Sequence, residues 1–479
     1  MTYISSINRN YFLVLFSNFF LFLASLLTAL SIYTSFFSWF FFILFLILIL
    51  IKTSENIYKE NKRIFYLILT SFFLKFFINE FIYVYFELRG YPLGTIGGSD
   101  DISYFLKGKL IAQLFINDLS AQLNPRIYHV KISDNQNFYL FNALINLIDI
   151  KISLKEMIKV GIIINAFSAV IFYHIYQNIR LNKNYIFLFV FLFVIDLKIF
   201  FYSNLNLKEI YLLFSFICCI YLSSVIITNN LNNKKILALS IFGLLFSAII
   251  RWQFFLIYLF MIIVSIYFRL ILIIKNNYIL KLFNLSIFLG FFLLIFFYYE
   301  DVYNYIIIYN NQIVGNLLTP NENLSLGNKI FSLKLADNIF YIFIYLGHGI
   351  LGIFPIFKVS NLYFEFQKIA QVWFHLLLIA STYHGFRCLK NLNKNNLELT
   401  FFTITVTIGV FIIILLCALV TYGSLEFSRY SLSLNLYFLI IIAISIKNLN
   451  INFIFKIIGV YVVMNLILLI PYYYLKSLL

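Results

Sequence analysis

Charge is scarce in this chain, and that scarcity excludes a soluble globular protein. Only 11% of the 479 residues are Asp, Glu, Lys or Arg, whereas 63% are hydrophobic, and the mean hydropathy is +0.94. Apolar runs recur from end to end, each close to the roughly 20 residues that an α-helix needs to cross a bilayer. The composition therefore predicts an all-α, polytopic integral membrane protein.

Cysteine and the common catalytic motifs are scarce as well, and this narrows the chemistry. The four cysteines lie within or beside apolar runs and show no CxxC spacing (Cys218, Cys219, Cys388 and Cys417). A disulfide framework and a zinc site are therefore disfavoured. The sequence contains no HExxH, GxSxG or P-loop motif. It gives no support to zinc proteolysis, serine-hydrolase chemistry or nucleotide hydrolysis.

The charge that is present is mostly positive and indicates topology. Lys and Arg number 35 against 19 acidic residues, for a net charge of +16. The cations lie in short loops between apolar runs and form no clustered patch of the kind that binds nucleic acid. Under the positive-inside rule these loops are cytoplasmic. They are 52–63, 180–183, 234–235, 269–281, 387–394 and Lys447.

With those loops inside, the pattern predicts about 13 transmembrane helices and a cytoplasmic N-terminus. The first apolar run has no small-residue cleavage site after it, so we interpret it as a retained helix and not as a signal peptide. The predicted spans are 11–30, 33–51, 64–86, 157–178, 185–202, 209–228, 236–250, 252–270, 279–298, 369–386, 399–420, 430–446 and 453–473.

Two long loops are predicted on the outer face of a single integral-membrane domain, residues 1–479. They are 87–153 and 299–340, and both are too long to be simple connectors. The first loop has apolar residues at helical spacing in 104–116 and again in 138–148. This spacing predicts two short amphipathic helices on the membrane surface.

The apolar run 338–357 is predicted to be a re-entrant or interfacial segment. It contains Gly347, His348 and Gly349, and counting it as a crossing would place the basic loop 387–394 outside. Broken backbone at membrane depth is tolerated only inside protein. His348 is the only histidine in this segment, which makes it a candidate contact for substrate.

The most informative polar feature is an acidic motif, GGSDDISY, at Gly97–Tyr104. Adjacent carboxylates at a membrane boundary are unfavourable unless they bind or react with something. One interpretation is that Ser99 or Asp100 caps a helix. A cap does not need the second carboxylate, Asp101, so a general base or a cation-assisted phosphate site is the alternative. Tyr104 lies one helical turn after Asp100, on the same face.

Polar residues at the predicted outer ends of later spans are candidates for binding phosphate. Lys208 and Glu209 either neutralise each other or place Lys208 against a lipid-linked pyrophosphate, oriented by Glu209. Arg251 breaks a long apolar run, and it either extends to the interface or binds a phosphate with its planar fork.

Three further cations are weaker candidates for anion binding. Arg429 lies at the mouth of a late span, where Glu426 is an alternative partner at i,i+3 spacing. Arg126 and His129 lie in the first outer loop.

The motif Asp100-Asp101-Ile102-Ser103-Tyr104 resembles the acidic D-E-x-x-Y motif in the first outer loop of GT-C membrane glycosyltransferases. In that class a loop carboxylate activates the acceptor, and the donor is a polyprenyl-phosphate sugar. The resemblance implies that Asp100 is the catalytic carboxylate, with Asp101 as its acidic neighbour and Tyr104 as the motif tyrosine.

The order of the later elements also looks like that of Wzy-like O-antigen polymerases, which join lipid-linked repeat units on the outer face. Those proteins rely on outer-face arginines, and the resemblance assigns that part to Arg126, Arg251 and Arg429. The covered region is about residues 85 to 446. The resemblance therefore leaves open a single-sugar transferase and a repeat-unit polymerase.

Both resemblances imply a glycosyltransferase of the bacterial inner membrane that acts in envelope polysaccharide assembly. The substrate is a polyprenyl-(di)phosphate-linked sugar or oligosaccharide, held among membrane lipids, and other polysaccharide assembly proteins are expected partners. In a metal-assisted version, Asp100 and Asp101 hold a divalent cation, Mg²⁺ or Mn²⁺. Nucleic acid is not an expected partner. The non-enzyme alternative is a flippase or another transporter of lipid-linked oligosaccharides.

Overall fold

The computed structural model describes the part of the chain where the motif and most of the early predicted spans lie. These residues are 38–88, 90, 98–117, 136–149, 151–181, 183–231, 233–274, 374–382, 397–421 and 432–445. Every regular element in them is an α-helix, which confirms the all-α fold class.

Thirteen helices are described, and they are numbered here in chain order. They are α1 Ser38–Glu60, α2 Lys62–Leu88, α3 Gly98–Asn117, α4 Gln136–Ile148, α5 Leu154–Asn178, α6 Lys183–Ile195, α7 Leu197–Ser203, α8 Lys208–Thr228, α9 Lys234–Ile250, α10 Trp252–Ile273, α11 374–382, α12 Leu397–Thr421 and α13 Leu432–Ser445.

Six of these helices are long and apolar enough to cross a membrane, and the bent pair α6 and α7 makes a seventh if it is one span. The six are α1, α2, α5, α8, α10 and α12. Together with the bent pair they coincide with seven of the predicted spans, which supports a membrane protein. The predicted total of about 13 crossings is not confirmed. The predicted spans 11–30, 279–298 and 453–473 lie outside the described residues.

The described residues belong to two compact units. Unit 1 contains α1 to α7, α8 as far as Tyr221, α9 and the start of α10. Unit 2 contains 222–230, the rest of α10, and α11 to α13. The expectation of one integral-membrane domain stays a prediction.

Helix α5 is the centre of unit 1. Within its apolar window 94% of the residues are buried, and α1, α2, α6 and α7 pack around it. Ser153 caps its N-terminus by accepting a hydrogen bond from the Glu156 backbone N–H. Helix α8 is buried almost as completely. Helix α9 lies against it at Gly243, where an added Cβ would be 2.3 Å from the Cys218 sulfur.

The loop predicted at 52–63 is almost absent. Helix α1 continues to Glu60, Asn61 alone separates it from α2, and the Asn61 side chain accepts a hydrogen bond from the Ile64 N–H at 3.3 Å. The charged residues form ion pairs along the helix instead of a loop, since Glu55 pairs with both Lys52 and Lys59. Such i,i+3 and i,i+4 pairs favour helix, so the span prediction 33–51 ended too early.

The span predicted as 185–202 is broken at Asp196. Helices α6 and α7 meet there at an angle of 49°. Asp196 caps α7 by accepting a hydrogen bond from the Ile199 N–H at 2.9 Å. A capping carboxylate ends one helix and starts another, and this explains why the apolar run bends.

Unit 2 is joined by aromatic and polar contacts between α10 and α12. The rings of Phe268 and Phe401 stack at 4.5 Å. The Arg269 guanidinium of α10 lies 3.9 Å from the Glu398 carboxylate of α12, and it also donates a hydrogen bond to the Ile227 carbonyl of α8 at 3.2 Å. These contacts fix the ends of the two helices against each other.

Candidate functional site

The acidic motif forms the first turn of α3. Because α3 begins at Gly98, the backbones of Ser99, Asp100 and Asp101 are already helical. The interpretation that Ser99 or Asp100 precedes and caps a helix starting near Ile102 is therefore wrong. Carboxylates in a first turn are favoured by the helix dipole.

The structure places Asp101 and Tyr104 on the buried face of α3. Asp101 is 0% exposed and Tyr104 is 2% exposed. The buried positions that follow are Phe105, Gly108 and Ile111, which continues the stripe at helical spacing. A carboxylate on the buried face of a helix needs a polar or charged environment.

That environment begins with α4, which packs closely against α3. A Cβ on Gly108 would lie 2.5 Å from the Asn142 Cβ, so only glycine permits this approach. The Tyr104 ring meets the Phe138 ring edge-on at 4.9 Å and the Tyr139 ring at 5.4 Å. Both helices were predicted from the sequence, and the contact between them follows from these small and aromatic residues.

Lys208, the first residue of α8, completes the cluster. Its side chain is buried, and its Nζ lies 5.9 Å from the centroid of the Tyr104 ring. Two residues earlier, Asn206 donates a 2.9 Å hydrogen bond to the Asn142 side chain. We call Asp101, Tyr104, Asn142, Asn206 and Lys208 the motif site. It unites the acidic motif with the Lys208 region, which the sequence separates by about a hundred positions.

Two other predicted residues lie at the end of α8 and α9 where Lys208 is found. Glu209 is buried beside Lys208 in the first turn of α8. Arg251 is the extended residue between α9 and α10, and its guanidinium lies 5.7 Å from the Phe254 ring. Since α8 and α9 run in opposite directions, Arg251 lies at the same end of this pair as Lys208. The break predicted at Arg251 is confirmed.

A group of charged residues flanks the motif site where α2 ends and α5 begins. The carboxylates of Asp101, Glu87 and Glu156 all lie within electrostatic range of Tyr83. Glu156 also accepts a 2.9 Å hydrogen bond from the Trp39 indole. We call this end of the helices the motif end. An acidic rim of this kind suits hydroxyl groups and cations.

Lysines of α5 balance part of that acidity. Lys159 lies 2.9 Å from Glu80 and 2.5 Å from Glu156, and Lys155 pairs with Glu80. Removing one member would leave a partly buried charge without its partner. The sequence analysis did not predict these residues as part of a site. Three of them, Lys155, Glu156 and Lys159, lie in the first two turns of α5.

Several predicted site residues lie outside the described residues. They are the side chain of Asp100 and all of Arg126, His129, His348 and Arg429. Among the residues that the structure describes, no three His, Cys, Asp or Glu side chains form a group that could hold a metal ion. A divalent cation between Asp100 and Asp101 stays a prediction.

Searches against known proteins gave no relatives. No protein-family model matches the chain, no curated protein matches it, and no solved structure matches it.

Sequence reasoning missed a second buried polar cluster in the middle of the helices. Lys75, at the centre of α2, is 5% exposed, and its Nζ lies 5.8 Å from the Phe200 ring. Asn165 of α5 is 2% exposed, and the Asp196 carboxylate attracts the Lys75 ammonium. The signal was present, because a lone charge inside a predicted span is a functional candidate.

A third polar group lies at the opposite end from the motif site. Glu60 accepts hydrogen bonds from the Tyr173 hydroxyl, at 2.8 Å, and from the Gln177 side chain. The Gln177 carbonyl is 2.8 Å from His174 Nδ1. Glu60, Tyr173 and Gln177 border a cavity of about 390 Å³, which is large enough for a small polar molecule.

Proposed function

We propose that this chain is a membrane glycosyltransferase that uses polyprenyl-(di)phosphate-linked sugars and that its motif site is the active site. The observation that supports the proposal best is the approach of Lys208 to Tyr104. It joins the acidic motif to a buried cation, and sugar transfer from a lipid phosphate needs both a base and a cation.

The chemistry divides between the two sides of the site. The acceptor hydroxyl gives its proton to a carboxylate of the Asp100–Asp101 pair and attacks the anomeric carbon of the donor sugar. The bond between that carbon and the phosphate oxygen breaks, and the lipid (di)phosphate leaves with the electron pair. Lys208 stabilises the charge that develops on the leaving phosphate, and Arg251 is a second cation at the same end of α8 and α9.

Tyr104 is a positioning residue in this scheme. Its ring lies between the two aromatic residues of α4 and the Lys208 ammonium. A cation near an aromatic face is held there by the ring quadrupole. The segment that precedes α8 is held against α4 by the 2.9 Å hydrogen bond that Asn206 donates to the Asn142 side chain.

The cellular setting belongs to the same proposal. The basic segments at the turns between spans favour a cytoplasmic location for the Asn61 turn, and the motif end is then on the outer face of a bacterial inner membrane. The motif site would bind lipid-linked sugars at that outer face, and envelope polysaccharide would be the product.

The surface-glycan profile of a strain lacking this chain, measured by gel and mass spectrometry, tests the proposal. A glycan missing one defined sugar supports a single-sugar transferase. Lipid cores with one complete repeat and no ladder support the polymerase alternative at the same site. An unchanged profile, or a profile restored by the Asp100→Asn and Asp101→Asn variants alike, would overturn the enzymatic proposal.

A transporter of lipid-linked oligosaccharides is a second candidate. The bent span at Asp196 and the buried Lys75 favour it, because transporters place charges and broken helices near the middle of the bilayer. Accumulation of a complete lipid-linked precursor on the cytoplasmic face of the deletion strain would favour this candidate over glycosyl transfer.

A further inference from the structure

The buried face of helix α2 is apolar in its first half and polar in its second half. Six positions spaced three or four residues apart face the protein: Ile64, Ile68, Phe72, Lys75, Asn79 and Tyr83. The first three are apolar and the last three are polar. The polar half begins at the centre of the helix and continues toward the motif end.

Two residues of this half, Asn79 and Tyr83, carry polar atoms that have no hydrogen-bond partner within the described part of the chain. Neither amide atom of Asn79 has a hydrogen-bond partner among the described residues, and the same holds for the Tyr83 hydroxyl. Asn79 is fully buried and Tyr83 nearly so. Buried polar groups are normally hydrogen-bonded to protein or to ordered water, so three such atoms in a row indicate bound water.

The spacing of the three residues suits single bridging waters. Successive members are four residues apart, which is about 6 Å along a helix axis. That distance exceeds a direct hydrogen bond and matches two hydrogen bonds through one water. The route from Lys75 to Tyr83 is therefore about 12 Å long.

Each end of this route reaches a further polar group. At the inner end, Lys75, Ser71 and Asn165 border a cavity of about 10 Å³, the size of one water. Both amide atoms of Asn165 also lack partners among the described residues. At the other end, Tyr83 is within electrostatic range of Asp101 in the motif site.

Within the described ranges, four carboxylates besides Asp101 lie around the route. Glu87 and Glu156 also face Tyr83, and Asp196 attracts Lys75. Glu80 lies on α2 between them but is engaged with lysines of α5. The route thus has acidic groups at the motif end and an amine at its inner end.

We propose that Lys75, Asn79 and Tyr83 line a buried water file that carries protons between the motif end and Lys75. Each hydroxyl or water accepts a proton from one neighbour and donates one to the next, so a proton arrives at Lys75 without net change in the groups between. The file does not depend on glycosyl transfer, since it is built from α2 and α5.

Radiolytic hydroxyl-radical labelling of the purified full-length chain in nanodiscs tests the water. We expect Tyr83 to be labelled several-fold faster than an equally buried side chain with no water beside it, because radicals form from the adjacent waters. Phe172, buried among aromatic rings, is the control and should stay unlabelled. A Tyr83 labelled as slowly as Phe172 would show a dry helix face and overturn the proposal.

Acetic anhydride, which acylates only the neutral amine, tests proton exchange. We expect the rate of Lys75 acetylation in the wild type to rise several-fold from acidic to alkaline solution. Asn79→Leu should remove most of this pH response, whereas Ile78→Leu on the neighbouring face should keep it, and exposed Lys59 should respond in all three proteins. An unchanged response in Asn79→Leu would exclude the file as the proton route.

Discussion

Lys208 and Lys75 are two buried lysines that each lie close to an aromatic ring. Each is at least 95% buried, and each places its Nζ just under 6 Å from an aromatic ring, Tyr104 for one and Phe200 for the other. Their positions along the helices differ. Lys208 begins a helix beside two short helices, whereas Lys75 is at the centre of a 27-residue helix. Lys208 is thus at the end of its helix, whereas Lys75 is in the interior of its helix and borders a cavity of about 10 Å³, the size of one water.

The same contrast exists between whole helices. Helix α5 has a mean hydropathy of 1.8 and is 94% buried in its apolar window, whereas α10 has a mean hydropathy of 2.6 and is 22% buried. The less apolar helix is the buried one, because lipid tolerates polar side chains less well than a protein interior that pairs them. Between these two helices, the one that looks weaker by hydropathy is the one that carries buried charged and amide side chains.

The largest effect should come from removing the Lys208 charge. Lys208→Met keeps the length of the side chain but cannot stabilise a developing phosphate charge. We expect transfer activity to fall by about 10²–10³-fold, as for other single electrostatic stabilisers. The measurement is sugar transfer from a polyprenyl-phosphate donor by the purified chain, with abundance and thermal midpoint followed in parallel.

Two control variants make the comparison of the lysines specific. Lys59→Met, at the opposite end of α1, should retain full transfer activity. Lys75→Met should retain most of it, because Lys75 is outside the motif site. Equal losses in Lys75→Met and Lys208→Met would show that the two lysines support folding alike and would remove Lys208 from the active site.

The next largest effect should come from separating α3 from α4. Gly108→Ala would place a Cβ 2.5 Å from the Asn142 Cβ, so the two helices must move apart. Overpacking of this kind costs about 1–3 kcal/mol. We expect lower activity and a lower thermal midpoint of the inserted protein, read by differential scanning fluorimetry.

Gly161→Ala on α5 is the matched control for this change. Its added Cβ would lie 3.5 Å from Ile210, which is an ordinary contact. We expect stability and activity close to those of the wild type. A Gly108→Ala protein that is as active as Gly161→Ala would mean that the tight approach of α3 and α4 does not shape the motif site.

Much of the helical framework was predictable because hydrophobic length and periodicity decide it. Both short helices in the loop 87–153, the start of α8 and the break at Arg251 follow from the sequence. The approach of Lys208 to Tyr104 does not, since it depends on how α4 packs between them. The Gly108–Asn142 contact brings α3 and α4 together, and no local sequence pattern predicts this contact.

The errors arise where charge and apolar length compete. The segment from Lys52 to Lys59 looked like a loop, but Glu55 pairs with lysines on the same helix face and extends α1. The segment 185–202 was predicted as one span, but the Asp196 carboxylate within it caps a second helix. In both places a carboxylate interacts with a group close to it in sequence. Hydropathy averaged over a window does not detect such an interaction.

A smaller effect should come from the cap at Asp196. Asp196→Ala removes the acceptor for the Ile199 N–H and the charge that attracts Lys75, so we expect a loss of about 0.5–2 kcal/mol in the free energy of unfolding. Asp196→Asn keeps a capping oxygen and should lose less. Equal losses in the two variants would assign the effect to charge and not to the cap, as measured by thermal unfolding in detergent.

The smallest effect should come from the Tyr104 hydroxyl. If the ring positions Lys208, Tyr104→Phe keeps the face over which the ammonium lies, whereas Tyr104→Leu removes an attraction of about 0.5–2 kcal/mol. We expect Tyr104→Phe to stay close to wild-type activity and Tyr104→Leu to raise KM for the lipid-linked donor more than it lowers kcat. A collapse of kcat in Tyr104→Phe, with KM unchanged, would contradict the positioning role and assign the hydroxyl itself to the chemical step. That result would also distinguish Lys208 from Lys75, because the ring beside Lys75 is Phe200, which has no hydroxyl group.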